Sequence, residues 1–469
     1  MKTETFTIDS EVAPAYFNDL LDFIYKNYIL PRQEFFTNVR RTIVDRESFL
    51  FFTFIKPEWK SQIDVEIKAG KPIQVKIVVD ETLPQKIVDD LKEDLMINVQ
   101  LFEEKVRRTT LYFAWVKGEE MAPEKMPTVR KKAVDRLFTE TMLLFYIILI
   151  GASIFLFFIF GLYAIIVVVA LQFIVILFSD KIMAKAGGWR IDSKNPSVYL
   201  LQYHLPVEEY KEFQSKYGKE LLKIKREIYE RSFAVRKEPR CELSGEIFSK
   251  YGIKCEPERM SIKTVNIYGI VKKATEKFKI PMPKIVISNT MMPNAAATGP
   301  SPSHGTVMIT TGLLVQLEED EILSVVGHEL GHLKGRDPVI LFGLATTEYL
   351  LRIFVFLPFF LFFPFIYLIL AMSIIYFIAK FFEARADLLS AMKIGQPQVL
   401  AEALRKIGFR RLRFERSSDY RIQSWLGLDP HPPTYFRVDR LDKMKMPSRI
   451  RYPLIQSIKD VINGFRSAL

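Results

Sequence analysis

VVGHELGHLKG, residues Val325–Gly335, is the most informative stretch of the sequence. It contains the pattern His-Glu-x-x-His at His328, Glu329 and His332. On an α-helix four residues turn through about 400°, so the two histidines face the same way, one turn apart, and can bind one metal ion. Glu329 lies about 100° around the helix, where it can reach a water molecule on the metal. The stretch therefore predicts a helix that carries two metal ligands and a general base.

A third metal ligand has to come from another part of the chain, because a catalytic zinc site uses three protein ligands and one open position. Glu348 follows first, but on a continuing helix it would lie ~24 Å from the second histidine. Further on, KFFEARADLLSAMKIG predicts a helix with Glu383 and Asp387 on one face. Spacing favours Glu383 over Glu402 as the third ligand. Asp387, one turn later, could accept the free ring N–H of a ligand histidine.

Two apolar blocks accompany these motifs. The first, Thr141–Ser179, is 39 residues long without a charged side chain, which as one helix would measure roughly 58 Å, about twice the thickness of a bilayer core. A hairpin that turns near Gly161 fits better. Lys and Arg residues stand on both sides of the block, so both ends are predicted to face the cytoplasm.

The second apolar block, residues 338–379, contains Pro358 and Pro364 near its middle and predicts another out-and-back pair of helices. Glu348 and Arg352 interrupt it and can pair on one helical face. We favour a structural ion pair in a partly immersed hairpin over side chains that line a wet cavity. The sequence leaves open whether the chain has two membrane spans or four.

Composition limits the class of protein. The 469 residues are 49% hydrophobic yet 26% charged, and the mean hydropathy is +0.10, so extensive disorder is excluded and apolar residues are expected to gather in membrane segments. The net charge is +12. We interpret the basic run between Arg405 and Arg416 as facing anionic lipid, with no nucleic acid as partner, because no nucleic-acid fold signature accompanies it.

Cysteine usage and the N-terminus bear on the cellular compartment. Cys241 and Cys255 are the two cysteines of the sequence, too few for a disulfide framework, so free thiols are expected rather than one bridge. The first residues, MKTETFTIDSEV, lack the apolar region of a cleavable signal peptide, so the N-terminus is expected to stay in the cytosol.

Residues 1–128 predict a soluble α+β domain of unknown role, because alternating apolar residues in IDVEIKAGKPIQVKIVV are typical of a β-hairpin with one buried face. Apolar spacing between Tyr210 and Ile228 predicts one long amphipathic helix. The remaining segments are predicted as a transmembrane hairpin (137–180), a charged helical cytosolic region (190–262), a metalloprotease domain that includes the second hairpin (263–442) and a basic C-terminal tail (443–469).

Within residues 137–442 the sequence resembles the HtpX-type membrane zinc metalloproteases, part of the gluzincin group that also contains the CAAX prenyl proteases. The resemblance rests on the first apolar hairpin followed in order by NAAATG, TTGLL, HELGH, EARAD and HPP. It implies one Zn²⁺ per chain, with Glu383 as third ligand and Asp387 as the carboxylate behind a ligand histidine. Residues 1–130 lie outside it, and their role stays open.

The resemblance extends to HPPTYFR, in which an arginine stands six residues after a histidine. It implies that His431 and Arg437 stabilise the oxyanion of the reaction. Without the resemblance they would be interpreted as a loop histidine and a surface arginine.

A substrate-binding strand is predicted in the stretch that contains Asn294, Ala295, Ala296 and Ala297. Small side chains would let a substrate backbone approach a sheet edge and form main-chain hydrogen bonds. The alternative is an ordinary edge strand. His304, in the adjoining loop, is interpreted as a surface residue.

The expected fold class is an α+β, mainly helical integral membrane protein. It would combine a zincin-like metalloprotease domain, a small edge-strand sheet, two hydrophobic hairpins and the N-terminal domain. The resemblance implies a stress-response zinc endopeptidase for quality control in the cell membrane. Its active site would face the cytoplasm, and its partners would be the lipid bilayer and unfolded or damaged membrane proteins. The alternatives are a CAAX prenyl-type protease and a catalytically silent zinc-binding membrane scaffold, and the oligomeric state is not indicated.

Overall fold

The computed structural model describes residues 1–45, 47–55, 61–116, 118, 141–235, 237–415, 418–445 and 450–469. The first four residues of the predicted transmembrane hairpin (137–180) lie outside them, as does Arg416 of the basic run. The chain divides into two compact units, which are described separately. The first combines Met1–Ala114 with Tyr199–Lys263, and the second combines Trp115–Val198 with Thr264–Leu469. The predicted domain boundaries stay predictions.

The described strands form three sheets. In chain order the strands are β1 (Lys2–Ile8), β2 (Phe36–Val44), β3 (Glu47–Phe54), β4 (Ile63–Lys68), β5 (Ile73–Val79), β6 (Thr110–Val116), β7 (Trp189–Ile191), β8 (Val198–His204), β9 (Met260–Val265), β10 (Lys284–Ser288), β11 (Ala295–Thr298) and β12 (Thr306–Thr310). Within the sheets the strand orders are β1-β5-β4-β3-β2, β11-β12-β10-β7 and β6-β8-β9.

Helices dominate the described residues, as the sequence predicted. They are α1 (Phe17–Ile24), α2 (Gln85–Arg107), α3 (Thr141–Phe160), α4 (Ala164–Leu177), α5 (Ser179–Ala186), α6 (Val207–Tyr217), α7 (Leu221–Arg231), α8 (Cys241–Lys250), α9 (Ile267–Phe278), α10 (Thr311–Gln316), α11 (Glu319–Gly335), α12 (Asp337–Phe354), α13 (Leu357–Phe362), α14 (Pro364–Ile394), α15 (Pro397–Glu415), α16 (Ser418–Leu426), α17 (Thr434–Asp442) and α18 (Pro453–Arg466).

The five-stranded antiparallel sheet of the first unit contains the hairpin that the alternating pattern predicted. β4 pairs with β5 so that Val65 lies opposite Ile77 and Ile67 opposite Val75. These side chains share one core with α1 and α2, including Leu20. The pattern of alternate burial follows because successive strand residues point to opposite faces of a sheet. The predicted hairpin is therefore confirmed.

Two predictions for the later part of the first unit were wrong. The long amphipathic helix is interrupted by a 3₁₀ turn at Gly218–Glu220 between α6 and α7, where glycine weakens helix formation. Cys241 and Cys255 form a disulfide, with their Cα atoms 5.6 Å apart, not free thiols. The chain leaves Cys241 along α8 and turns back at Gly252, whose φ of 72° suits glycine. A count of cysteines cannot show that return.

His204, on β8, is fully buried in the first unit. Its Nδ1 lies 2.7 Å from the hydroxyl of Thr110. Burial, helped by the charge of Lys71, lowers the pKa of His204 to about 4. The ordinary histidine pKa is about 6.5, so the unfolded chain binds a proton at His204 between these two values while the folded chain does not. The contribution of His204 to the free energy of unfolding is therefore fully present above about pH 6.5 and is lost as the pH falls towards 4.

We expect β8 of the full-length protein to lose more protection from hydrogen exchange between pH 6.5 and pH 4 than β8 of a His204→Asn variant. The asparagine can keep a hydrogen bond to Thr110 but does not titrate. The measurement is the free energy of opening from hydrogen–deuterium exchange of the β8 peptide, corrected for intrinsic exchange rates. Equal pH dependence in the two proteins would contradict the assignment.

The four-stranded sheet of the second unit ends at β11, which pairs on one side with β12. β11 and β12 are antiparallel, with Ala295 opposite Ile309 and Ala297 opposite Val307. β10 and β12 are parallel. β11 also packs on α11, so the edge of the sheet runs beside the helix that carries the His-Glu-x-x-His pattern.

Both predicted apolar hairpins form. Leu149 of α3 and Val168 of α4 belong to one cluster, and a turn at Gly161–Tyr163 separates the two helices. Ala345 of α12 packs with Ile375 of α14. Among the described residues, two helical segments, Ile148–Leu177 and Pro364–Ile394, are long and apolar enough to cross a membrane by length and composition.

The predicted Glu348–Arg352 pair is present within α12, with Nε of Arg352 3.5 Å from Oε1 of Glu348. Both side chains are buried. The guanidinium also lies over the rings of Tyr349 and Phe360, 5.6 Å and 5.4 Å from their centres. These contacts favour the structural interpretation of the pair over a wet cavity.

Candidate metal centre

His328, His332 and Glu383 come together at the contact between α11 and α14. The Nε2 atoms of the two histidines are 3.1 Å apart. One carboxylate oxygen of Glu383 lies 3.3 Å from Nε2 of His332, and the other lies 3.3 Å from Nε2 of His328. This is the one group of histidine, cysteine and acidic side chains arranged to hold a metal ion among the described residues.

The spacing of these atoms fits zinc. Ligand atoms about 2.0–2.2 Å from a tetrahedral zinc ion are separated from one another by roughly 3.3 Å, which is close to the three distances above. Oε2 of Glu383 is buried and makes no hydrogen bond. A buried carboxylate oxygen without a donor is costly unless a cation neutralises it. Two imidazoles and one carboxylate also match the ligand set of catalytic zinc sites.

Close packing of α11 on α14 brings the ligands together. A methyl group at Gly331, inside HELGH, would lie 3.1 Å from the Cα of Ala386. Ser390 donates a hydrogen bond of 2.7 Å to the carbonyl of Ser324 and ties the same two helices. The glycine thus permits the helix contact that places Glu383 beside both histidines.

Each ligand histidine has a buried carboxylate behind its other ring nitrogen. Asp387 lies 2.8 Å from Nδ1 of His328, and Asp337 lies 2.9 Å from Nδ1 of His332. Such partners fix which nitrogen faces the metal. No pattern in the sequence indicated Asp337, which directly follows Arg336, the left-handed residue at the end of α11. Arg385 pairs with the second oxygen of Asp337.

Arg437 donates two hydrogen bonds to the carboxylate of Asp387, 2.8 Å from Nε and 2.7 Å from Nη2. Its Nη2 also lies 4.0 Å from Glu383. The arginine is buried and is turned towards these carboxylates. Its predicted contact with the oxyanion stays a prediction.

His431 lies at the edge of the same cluster. Its Nε2 is 3.5 Å from Oε2 of Glu383, and its Nδ1 is 2.8 Å from Asp429. The side chain is 43% exposed. Its ring therefore lies beside the metal ligand Glu383 and is partly exposed to solvent.

Electrostatics differ between the two ligand histidines. Burial lowers the pKa of His332, which keeps this imidazole neutral and able to bind metal. Burial acts in the same direction on His328, but the neighbouring carboxylates of Asp387 and Glu383 outweigh it and raise its pKa to about 10. A metal ion at this site therefore has to displace a proton, as is general for metal binding to protein ligands.

Glu329 is buried on α11 beside the ligands. Burial raises the pKa of its carboxyl, and the neighbouring His328 and His332 oppose this increase. A carboxyl with a raised pKa next to a metal centre is suited to accept and return a proton. The site can therefore activate water for attack on a carbonyl.

The predicted substrate strand forms the edge strand β11. Asn294 precedes it, and its backbone N–H donates to the hydroxyl of Thr310 at 2.9 Å. The three alanines are half-buried. The structure does not bring Glu402 or His304 into the metal cluster: Glu402 pairs with Arg405, and the His304 ring contacts Ser301 and Ser303.

The site can hold a metal ion beside a buried general base, as metal-dependent hydrolases do, and comparison with known proteins identifies the family of the chain. The sequence profile of Peptidase family M48 matches residues 261–445. The chain is 32% identical over 212 residues to a "Protease HtpX homolog" of Pyrococcus furiosus, covering 38% of this chain and 73% of that protein. The chain therefore belongs to the HtpX-type proteases of family M48, and the resemblance seen in the sequence is confirmed.

Other relatives carry the same name. A "Protease HtpX homolog" of Pyrococcus abyssi is 33% identical over 212 residues, covering 38% of this chain and 73% of the relative. One from Thermodesulfovibrio yellowstonii is 40% identical over 101 residues, covering 22% of this chain and 34% of the relative. The chain thus spans about a third to three quarters of the length of these curated relatives.

Proposed function

We propose that the protein is a membrane-bound zinc endopeptidase that hydrolyses unfolded segments and damaged membrane proteins. The observation that carries this proposal is the set of three ligand atoms from His328, His332 and Glu383, spaced 3.1–3.3 Å apart beside a buried Glu329. A purely structural metal site has no use for the glutamate, since its ligands are complete without a general base.

When bound, zinc supplies Lewis-acid activation of the water and the peptide carbonyl. The protein side chains do the rest. Glu329 takes the proton from the attacking water and returns it to the leaving amine. Asp387 and Asp337 hold the imidazoles of His328 and His332 in one orientation.

We assign stabilisation of the oxyanion to His431, and a supporting role to Arg437. The Nε2 atom of His431 lies 3.5 Å from Oε2 of Glu383 in a side chain that is 43% exposed, so it would be a donor close to the developing negative charge. Arg437 is buried behind the metal ligands, where its positive charge lies next to the carboxylates of Asp387 and Glu383.

The edge strand β11 supports an unfolded substrate. An extended peptide that pairs with β11 would bind through main-chain hydrogen bonds, so its sequence would matter little. This tolerance suits a quality-control and stress-response protease. The exposed apolar segments Ile148–Leu177 and Pro364–Ile394 support a multi-pass location in the cell membrane, and Lys181, Lys185 and Arg190 after the first hairpin support a cytoplasmic active site.

Metal removal tests the proposal. The detergent-purified protein is expected to contain one zinc per chain and to cleave casein. Activity should disappear after treatment with 1,10-phenanthroline and return when zinc is added. Metal content by mass spectrometry and casein cleavage are the two measurements. Cleavage that survives complete removal of the metal would contradict the proposal.

A further inference from the structure

Lys380 lies on α14 one turn before Glu383, and its side chain is 1% exposed. A buried ammonium group is costly unless it is paired or fully hydrogen-bonded. Its Nζ donates hydrogen bonds to two backbone carbonyls, those of Asp429 and, at 3.5 Å, Gly427. The buried ammonium group of Lys380 therefore binds the backbone of a loop that is distant from α14 in the sequence.

That loop, residues 427–433, carries His431. The carboxylate of Asp429 accepts hydrogen bonds from the backbone N–H of His431 at 2.8 Å and from its Nδ1 at 2.8 Å. Its other oxygen pairs with Arg411 at 2.5 Å. Lys380 therefore fixes the backbone of Asp429, and the side chain of Asp429 fixes the imidazole of His431.

The far end of the loop is held separately. Glu415, at the end of α15, is 4% exposed. It accepts hydrogen bonds from the backbone N–H groups of Thr434 at 3.1 Å and Tyr435 at 2.9 Å, the first residues of α17. These N–H groups have no partner within a helix. With this end fixed, the end that orients His431 is held by Lys380 at the backbone of Asp429 and by Arg411 at its carboxylate.

We propose that Lys380 is a positioning residue, which holds His431 beside the metal ligands through Asp429. The inference rests on the proposed zinc endopeptidase function. His431 needs such support because its side chain is 43% exposed and its own packing does not fix it. A displacement of about 1 Å can cost on the order of 10²-fold in rate.

The first experiment compares Lys380→Met, His431→Ala and the double variant in casein cleavage. Lys380→Met is expected to have the zinc content and KM of the wild type, with kcat lowered about 10–100-fold. If Lys380 acts through His431, the double variant will have the kcat of His431→Ala alone. Multiplication of the two single effects would overturn the proposal. Lys393→Met, an exposed lysine of the same helix, should leave kcat unchanged.

A second measurement does not depend on activity. Hydrogen–deuterium exchange of the zinc-loaded protein should increase in the peptide covering residues 427–433 of Lys380→Met and remain as in wild type in α11. Unchanged exchange of that peptide would overturn the proposal. Should Lys380→Met fail to fold, Asp429→Asn replaces it in both experiments, with the same non-additivity with His431→Ala expected. Wild-type protein that binds zinc without cleaving casein would refute the proposed function. Hydrogen–deuterium exchange of the peptide covering residues 427–433 would in that case still show whether Lys380 holds the loop.

Discussion

Glu329→Gln should bind zinc as wild type does and lose casein cleavage, with kcat reduced about 10²–10⁴-fold. Glutamine keeps the size of the buried side chain but cannot take a proton from water. The ligands His328, His332 and Glu383 are untouched, so the metal content should stay at one ion per chain. Steady-state kinetics and metal analysis of the same preparation measure the two quantities.

Glu402→Gln is the matched control for this substitution. Glu402 stood as the alternative third ligand in the sequence, but it pairs with Arg405 on α15 and does not join the metal cluster. The control should keep wild-type kcat. Full activity in Glu329→Gln would exclude Glu329 as the base and remove the mechanism proposed above.

Asp387→Asn should destabilise the protein and weaken zinc binding together. The carboxylate of Asp387 accepts two hydrogen bonds from buried Arg437 and lies 2.8 Å from Nδ1 of His328. Removal of one partner from a buried ion pair costs ~3–5 kcal/mol, because the other charge is left uncompensated. Loss of a carboxylate behind a ligand histidine typically weakens metal affinity 10–100-fold.

Thermal unfolding of the metal-free protein and competition with a zinc-binding dye measure these two effects independently. Asp439→Asn, in the same helix as Arg437, is a suitable control because Asp439 forms an exposed pair with Lys443. Its stability and affinity should stay near those of wild type. An Asp387→Asn protein with unchanged zinc affinity would show that Asp387 does not orient His328.

The sequence predicted the parts of the site that follow from helix geometry. His328 and His332 stand one turn apart, and Glu383 and Asp387 likewise share one face of α14, so periodicity brought these side chains together in pairs. The predicted second apolar hairpin lies between the two pairs and brings the chain back to the helix that carries the histidines. Asp337 was missed because it follows the end of α11, where a left-handed residue, Arg336, turns the chain back towards His332, and periodicity does not extend past a helix end.

Contacts between distant segments account for the other differences. No local pattern shows that Tyr199–Lys263 packs with Met1–Ala114 or that Cys241 meets Cys255. The resemblance implied that Arg437 stabilises the oxyanion, but no local pattern showed its contact with Asp387, which joins residues 50 apart in the sequence. Such pairings depend on the packing of α17 on α14, which spacing within either helix cannot reveal.

Helix α14 joins two environments in one element. Its first half presents Phe365, Ile369 and Ile374 outward, each more than half exposed, while its second half carries Glu383. At ~1.5 Å per residue its 31 residues form a rod of about 46 Å. With this apolar half in the membrane, as proposed above, a bilayer of unmatched thickness would tilt the whole rod. Because Glu383 is part of that rod, we expect the rate of the proposed peptidase to depend on the chain length of the surrounding lipid.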